Sequence, residues 1–75
     1  MAEERNPCTA FGRRLRELRL ERELSQEMLG QIAGLDRTYI SSAEAGRRNV
    51  SLKTIYKLAE ALEVSAPELL GGPNL

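Results

Sequence analysis

The tightest constraint on this 75-residue sequence is the punctuation between Ser25 and Gly46. Ser25 reads as a helix cap, and Gln26-Glu27 open a short helix whose Leu29, Ile32 and Ala33 share one face. Gly34 offers the left-handed conformation on which helices commonly stop. Only Leu35 then precedes Asp36, the cap of another helix that opens Arg37-Thr38-Tyr39-Ile40 and should end at Gly46. Two short helices joined by about three residues containing a glycine cross steeply and do not run antiparallel. Leu29, Ala33, Leu35, Ile40 and Ala43 supply apolar contacts for such a crossing, and Gly30 is a small residue where the two backbones come closest. An ordinary helical pair in a small bundle is the competing reading. It has no need of a small residue and a turn glycine four apart.

The remaining sequence is also helical. There is no alternating apolar run and no Asn-Gly or Asp-Gly hairpin signal. Phe11, Leu15 and Leu18 make a first helical face, with Thr9 as its expected cap and an end near Glu23. Ser51 caps a fourth helix whose stripe is Leu52, Ile55, Ala59 and Leu62, with Leu58 beside it. Ser65 and Glu68 form a capping box around Pro67, giving a fifth helix at about 66–70 before Gly71-Gly72-Pro73. The expected architecture is all-α: five helices in one domain over 9–70, a flexible segment 1–8 and a tail 71–75.

Composition narrows the chemistry. The chain has no histidine, and Cys8 is its single cysteine, so a disulfide within the chain, a usual four-ligand zinc site and a histidine-assisted nucleophile are all excluded. The acids lie among arginines in helix-like segments, as on solvated faces, so no enzyme, cofactor or metal is expected. No apolar run approaches the length of a membrane span, and the first residues do not read as a signal peptide, so a cytoplasmic location without membrane partners is expected. The formal net charge is zero, but it is unevenly spread. Residues 34–57 hold five basic side chains (Arg37, Arg47, Arg48, Lys53, Lys57) against Asp36 and Glu44, whereas residues 58–75 hold Glu60, Glu63 and Glu68 and no base. A neutral chain can therefore present one cationic face to phosphate. A steep helical pair inside that basic stretch is a helix-turn-helix at about 26–45, in which the second helix enters the DNA major groove.

The residues themselves are similar to a known family. Leu24-Ser25-Gln26-Glu27 with Leu29, then Asp36-Arg37-Thr38-Tyr39-Ile40-Ser41, Glu44, Gly46-Arg47-Arg48-Asn49 and Ser51-Leu52, resemble Cro/cI-type (XRE, lambda-repressor-like) regulators over nearly all of 9–70. Among these, the chain looks most like the controller proteins of restriction-modification systems. The resemblance implies a five-helix DNA-binding domain acting as a transcriptional regulator on a palindromic or near-palindromic operator. Its implied partners are double-stranded DNA, a second copy of the chain and RNA polymerase. Gln26 corresponds to a phosphate-contacting glutamine, or is a simple polar helix start. Arg37 and Thr38 face the groove in the family; Arg37 either forks onto a guanine, for about 1–3 kcal/mol of discrimination, or clamps a phosphate. Ser41 and Ser42, one turn on, are further base-contact candidates. Tyr39 should pack its ring on the scaffold and aim its hydroxyl at a phosphate. Arg47, Arg48 and Asn49 should straddle the backbone or minor groove, or form a solvated loop, while Ser51 and Lys53 open a helix whose amides suit phosphate. Arg19 and Glu44 match a structural ion pair that holds the recognition helix.

Departures from the family pattern carry expectations of their own. Glu23 stands where glycine is usual, at a left-handed position that costs a non-glycine residue about 1 kcal/mol. Ala43 replaces a larger residue and leaves space for Leu20 or Met28; Ser42 stands where Arg or Gln is common; Val50 replaces a frequent proline. Tyr56, Val64, Leu69 and Leu70 exceed the needs of one small core and are assigned to a dimer interface, plain core being the alternative. Other Cro/cI-type repressors, DNA-binding antitoxins and a protein-interaction module remain as competing readings.

Overall fold

The computed structural model describes residues 6–71. Within them run α1 (Pro7–Glu21), α2 (Gln26–Ala33), α3 (Arg37–Glu44), α4 (Leu52–Leu62) and α5 (Ala66–Leu69), with no strand among the described residues.

α1 begins earlier than the Thr9 cap predicts. The Asn6 side chain accepts from the Cys8 amide at 2.9 Å, and Pro7 occupies the first turn. An asparagine cap followed by proline satisfies the helix start better than threonine two residues inside it. Residues 6–8 are therefore helical entry and not flexible segment, while 1–5 and 72–75 of the expected loose ends lie outside the described residues. Thr9 instead lies against Gly46, where an added Cβ would meet its Oγ1 at 2.9 Å. α1 stops at Glu21, two residues short of expectation, and Glu23 takes the left-handed conformation with φ 56°.

The other punctuation is where the sequence predicts it. Ser25, Ser51 and Ser65 accept from the amides of Met28, Thr54 and Glu68, and Gly34 ends α2 at φ 74°. A Cβ on Gly30 would fall 2.5 Å from the Leu35 carbonyl oxygen, which shows how closely the turn folds back over α2. α3 ends at Glu44 rather than Gly46, with Gly46 left-handed just beyond it.

α1 packs on α3 and α5, α2 packs on α3 and α4, and α4 packs on α5. Leu15, Leu18, Leu29, Ile40, Ala43, Leu58, Ala59, Leu62 and Leu69 form one buried core. Each of its fully buried leucines contributes about 1.5–3 kcal/mol of burial. Three expectations are corrected here. Leu52 and Ile32 are 66% and 57% exposed, because the stripes that reach the core are Ile55-Leu58-Ala59-Leu62 and Leu29-Ala33. Leu69 is fully buried, so it belongs to the core and not to a surface open to a second copy. The space expected beside Ala43 is not taken by Leu20 or Met28, both half exposed. It is closed by backbone: a Cβ on Gly12 would collide with the carbonyl oxygens of Ala43 and Glu44, so α1 lies directly against the end of α3.

Candidate nucleic-acid interface

α3 is held from behind. Arg19 is buried, and its Nε and Nη2 donate to Glu44 Oε2 and Oε1 at 2.6 and 3.1 Å. The two side chains are only 9% and 5% exposed, and Arg19 Nη1 donates to the Leu24 carbonyl at 2.7 Å. Gln26 Nε2 donates to Glu44 Oε1 at 3.1 Å. Glu44 thus joins the end of α1, the start of α2 and the end of α3. This charge-assisted, two-point fork fixes direction as well as distance.

The outward side of α3 carries the predicted reading residues in unequal states. Arg37 and Thr38 are exposed in its first turn. The Thr38 hydroxyl donates to Asp36 Oδ2, which turns the Asp36 carboxylate onto that hydroxyl and away from the backbone amides it was expected to cap. Ser41 and Ser42 are half-buried. Ser42 Oγ donates to the Tyr39 carbonyl at 3.0 Å and accepts from Arg48 Nε at 2.8 Å. Its hydroxyl therefore holds Arg48, and Ser41 and Ser42 are placed less openly than Arg37.

Tyr39 packs against the core, as its position predicts, and its ring also carries the Arg48 guanidinium 4.6 Å from the centroid. That is cation–π distance. Arg48 consequently lies along α3, while Arg47 and Asn49 are exposed on either side of it. Ser51 is occupied as the α4 cap, donating to Thr54 Oγ1 at 3.0 Å as well as accepting from the Thr54 amide. Lys53 is exposed in the first turn of α4. Neither α3 nor α4 has an acid in its first turn, although Asp36 stands at the cap of α3 and the Ser51 hydroxyl takes up the Thr54 amide of α4. Among the described residues no group of His, Cys, Asp and Glu could hold a metal, and no helix is long and apolar enough to cross a membrane.

Three features escape the sequence reading. Gly12, in the middle of α1, gives no sign of the carbonyls that press on it. The Gln26–Glu44 contact ties a residue singled out for DNA to the structural ion pair, and the Arg48–Tyr39 contact links two residues singled out for DNA.

Residues 15–69 match the Helix-turn-helix family. The chain belongs to that family. Over 61 residues it is 48% identical to control protein C.BamHI of Bacillus amyloliquefaciens, covering 80% of this chain and 75% of that one. Over 47 residues it is 57% identical to control protein C.SmaI of Serratia marcescens, covering 63% of this chain and 56% of the length of that relative. The fold matches the crystal structure of the restriction-modification controller protein C.AhdI from Aeromonas hydrophila with a TM-score of 0.81. Identity there is 53%, over 83% of this chain and 94% of that one. Within the helix-turn-helix family the chain stands with these controller proteins, which are regulators and not enzymes.

Proposed function

We propose that this chain is a sequence-specific transcriptional regulator of the controller type, which binds a dyad-symmetric operator as a homodimer in the cytoplasm. The observation that carries the reading is the exposed first turn of α3, with Arg37 and Thr38 outward and the far end of the helix locked by Arg19, Glu44 and Gln26. Arg37 forks onto the O6 and N7 of a guanine, and Thr38 offers its methyl and the free lone pairs of its hydroxyl. Arg47, Asn49, Lys53 and the amides opening α4 hold the phosphates, which orient the helix without carrying sequence. Gln26 reaches a phosphate from the start of α2 while Glu44 steadies its amide.

One recognition helix reads only a few base pairs. Two-fold dimers read half-sites about 34–36 Å apart. Tyr56 and Leu70, 59% and 43% exposed, are the apolar side chains offered to the second copy, with Leu52 one turn before Tyr56, while Val64 is half-buried against the core. A cleft of about 210 Å³ lined by Phe11, Arg48, Asn49, Val50 and Ile55 opens beside Leu70. RNA polymerase is the further partner of a controller that activates.

The test is selection from a randomised duplex pool at two salt concentrations, with wild type beside Arg37→Ala. The expected outcome is a dyad-symmetric site that loses its preference at one position per half-site in the variant. Binding that falls steeply with salt and enriches no sequence would reduce the interface to phosphate contacts. No binding at either salt would sink the regulator and leave an interaction module.

A further inference from the structure

Two arginines of α1, Arg14 and Arg19, and Arg22, which caps its C-terminus, reach the C-terminal ends of three other helices. Arg19 grips Glu44, the last residue of α3. Arg14 Nε donates to the Glu68 carbonyl of α5 at 3.0 Å. Arg22 Nε donates to the carbonyl of Leu62, the last residue of α4, and its Nη2 donates to the Glu63 carbonyl at 3.4 Å. The final carbonyls of a helix lack partners within it and form the negative end of its dipole, where a cation is favoured. α4 and α5 carry no basic residue in their own last turns, so α1 supplies the charge from outside.

These two ends bound the junction that aims α5. Between them the chain turns through Glu63, left-handed at φ 60°, and Ser65. α5 is four residues long, too short to hold a direction by its own hydrogen bonds, and Leu70 follows it directly. On its other side α1 lies backbone to backbone against α3 at Gly12. One helix therefore connects the reading helix to both elements that carry Tyr56 and Leu70.

We propose that Arg14 and Arg22 are positioning residues for operator recognition. They fix the angle between α3 and the α4–α5 face, and so set the half-site separation that the dimer accepts. The inference rests on the dimeric reading above. Its physical lever is the helical pitch of DNA: one extra base pair between half-sites moves the second about 3.4 Å and turns it by about 35°. A stiff link between reading helix and dimer face refuses that displacement, and a slack one follows it.

The experiment uses the full chain with Arg14→Met and Arg22→Met together, which keeps the apolar stems and removes the donors. Affinities are measured for duplexes with the selected half-sites at their preferred separation and at one base pair more or less. Dimerisation and thermal melting are followed in parallel. In wild type the preferred separation should win clearly. In the double variant the ratio between preferred and altered separations should fall about tenfold while the dimer still forms. Lysine at the same positions, which keeps the charge and one donor direction, should restore part of the ratio. Equal weakening on all three duplexes, with the ratio unchanged, would overturn the proposal and reduce the arginines to stability alone. If the double variant does not fold, Arg14→Met by itself, which removes a single donation to Glu68, carries the same comparison. A wild type bound equally well to one half-site as to two would instead remove the dimeric reading, a failure visible before any variant is examined.

Discussion

Glu44 shows how one residue can serve stability and recognition at once. Its carboxylate accepts from Arg19 and Gln26, and both it and Arg19 are almost fully buried, so neither charge has water as a substitute partner. Glu44→Ala would leave the Arg19 guanidinium with only the Leu24 carbonyl, at a cost of about 3–5 kcal/mol for breaking a buried pair. In a domain of this size that lowers the melting temperature by more than about 10 °C. DNA affinity should fall as well, because the end of α3 and the Gln26 amide lose their common anchor. Calorimetry and a binding titration on the same preparation check both; a variant that loses DNA and keeps its melting temperature would contradict the structural role. Arg48 makes a related point about the surface. A side chain expected on the DNA backbone lies on Tyr39 and Ser42 in the free chain, so binding DNA with it means exchanging those contacts for phosphate ones.

Helix ends dominate at the scale of elements. Glu23 and Glu63 both sit in the left-handed region just past α1 and α4, where a Cβ costs roughly 1–2 kcal/mol and glycine costs nothing of the kind. Glu23→Gly and Glu63→Gly should each raise stability by about 1 kcal/mol, less the greater freedom of glycine in the unfolded chain. Denaturant melts of the two single variants test this, and a loss of stability in both would contradict it. Glu23 was visible in the sequence from its place after the first apolar face. Glu63 was not, since Val64 and Ser65 read as an ordinary connection. Capping serines and the turn glycine were legible because their effects are local: a hydroxyl two or three residues from its amide, a φ that only glycine adopts freely. The inward or outward fate of Leu52, Ile32 and Leu69 was not, because a stripe at the end turn of a helix or along a four-residue helix is too short to fix its own phase. Gly12, Arg14 and Arg22 were hidden for a different reason. Their partners are backbone carbonyls of other helices, which have no identity in a sequence.

The whole molecule separates its charges by function. A basic middle segment contains α3 and the start of α4, and an acidic end contains α5, so a chain with no net charge can still present a cationic face to DNA. The class of fold was legible at this scale because the punctuation of the helical pair falls in the same twenty or so residues as the basic charge. Of the residues assigned from the sequence to a second copy, Tyr56 and Leu70 are exposed, whereas Leu69 closes the core. The proposed recognition rests on Arg37 entering the major groove twice, once from each copy. Methylation interference on the selected operator tests this most directly, because a methyl on guanine N7 blocks an arginine fork and nothing on the backbone. The expected result is one guanine in each half-site, about ten base pairs apart, whose methylation abolishes wild-type binding and leaves the residual binding of Arg37→Ala unchanged. Interference that is absent from the major groove, or identical in the variant, would contradict it.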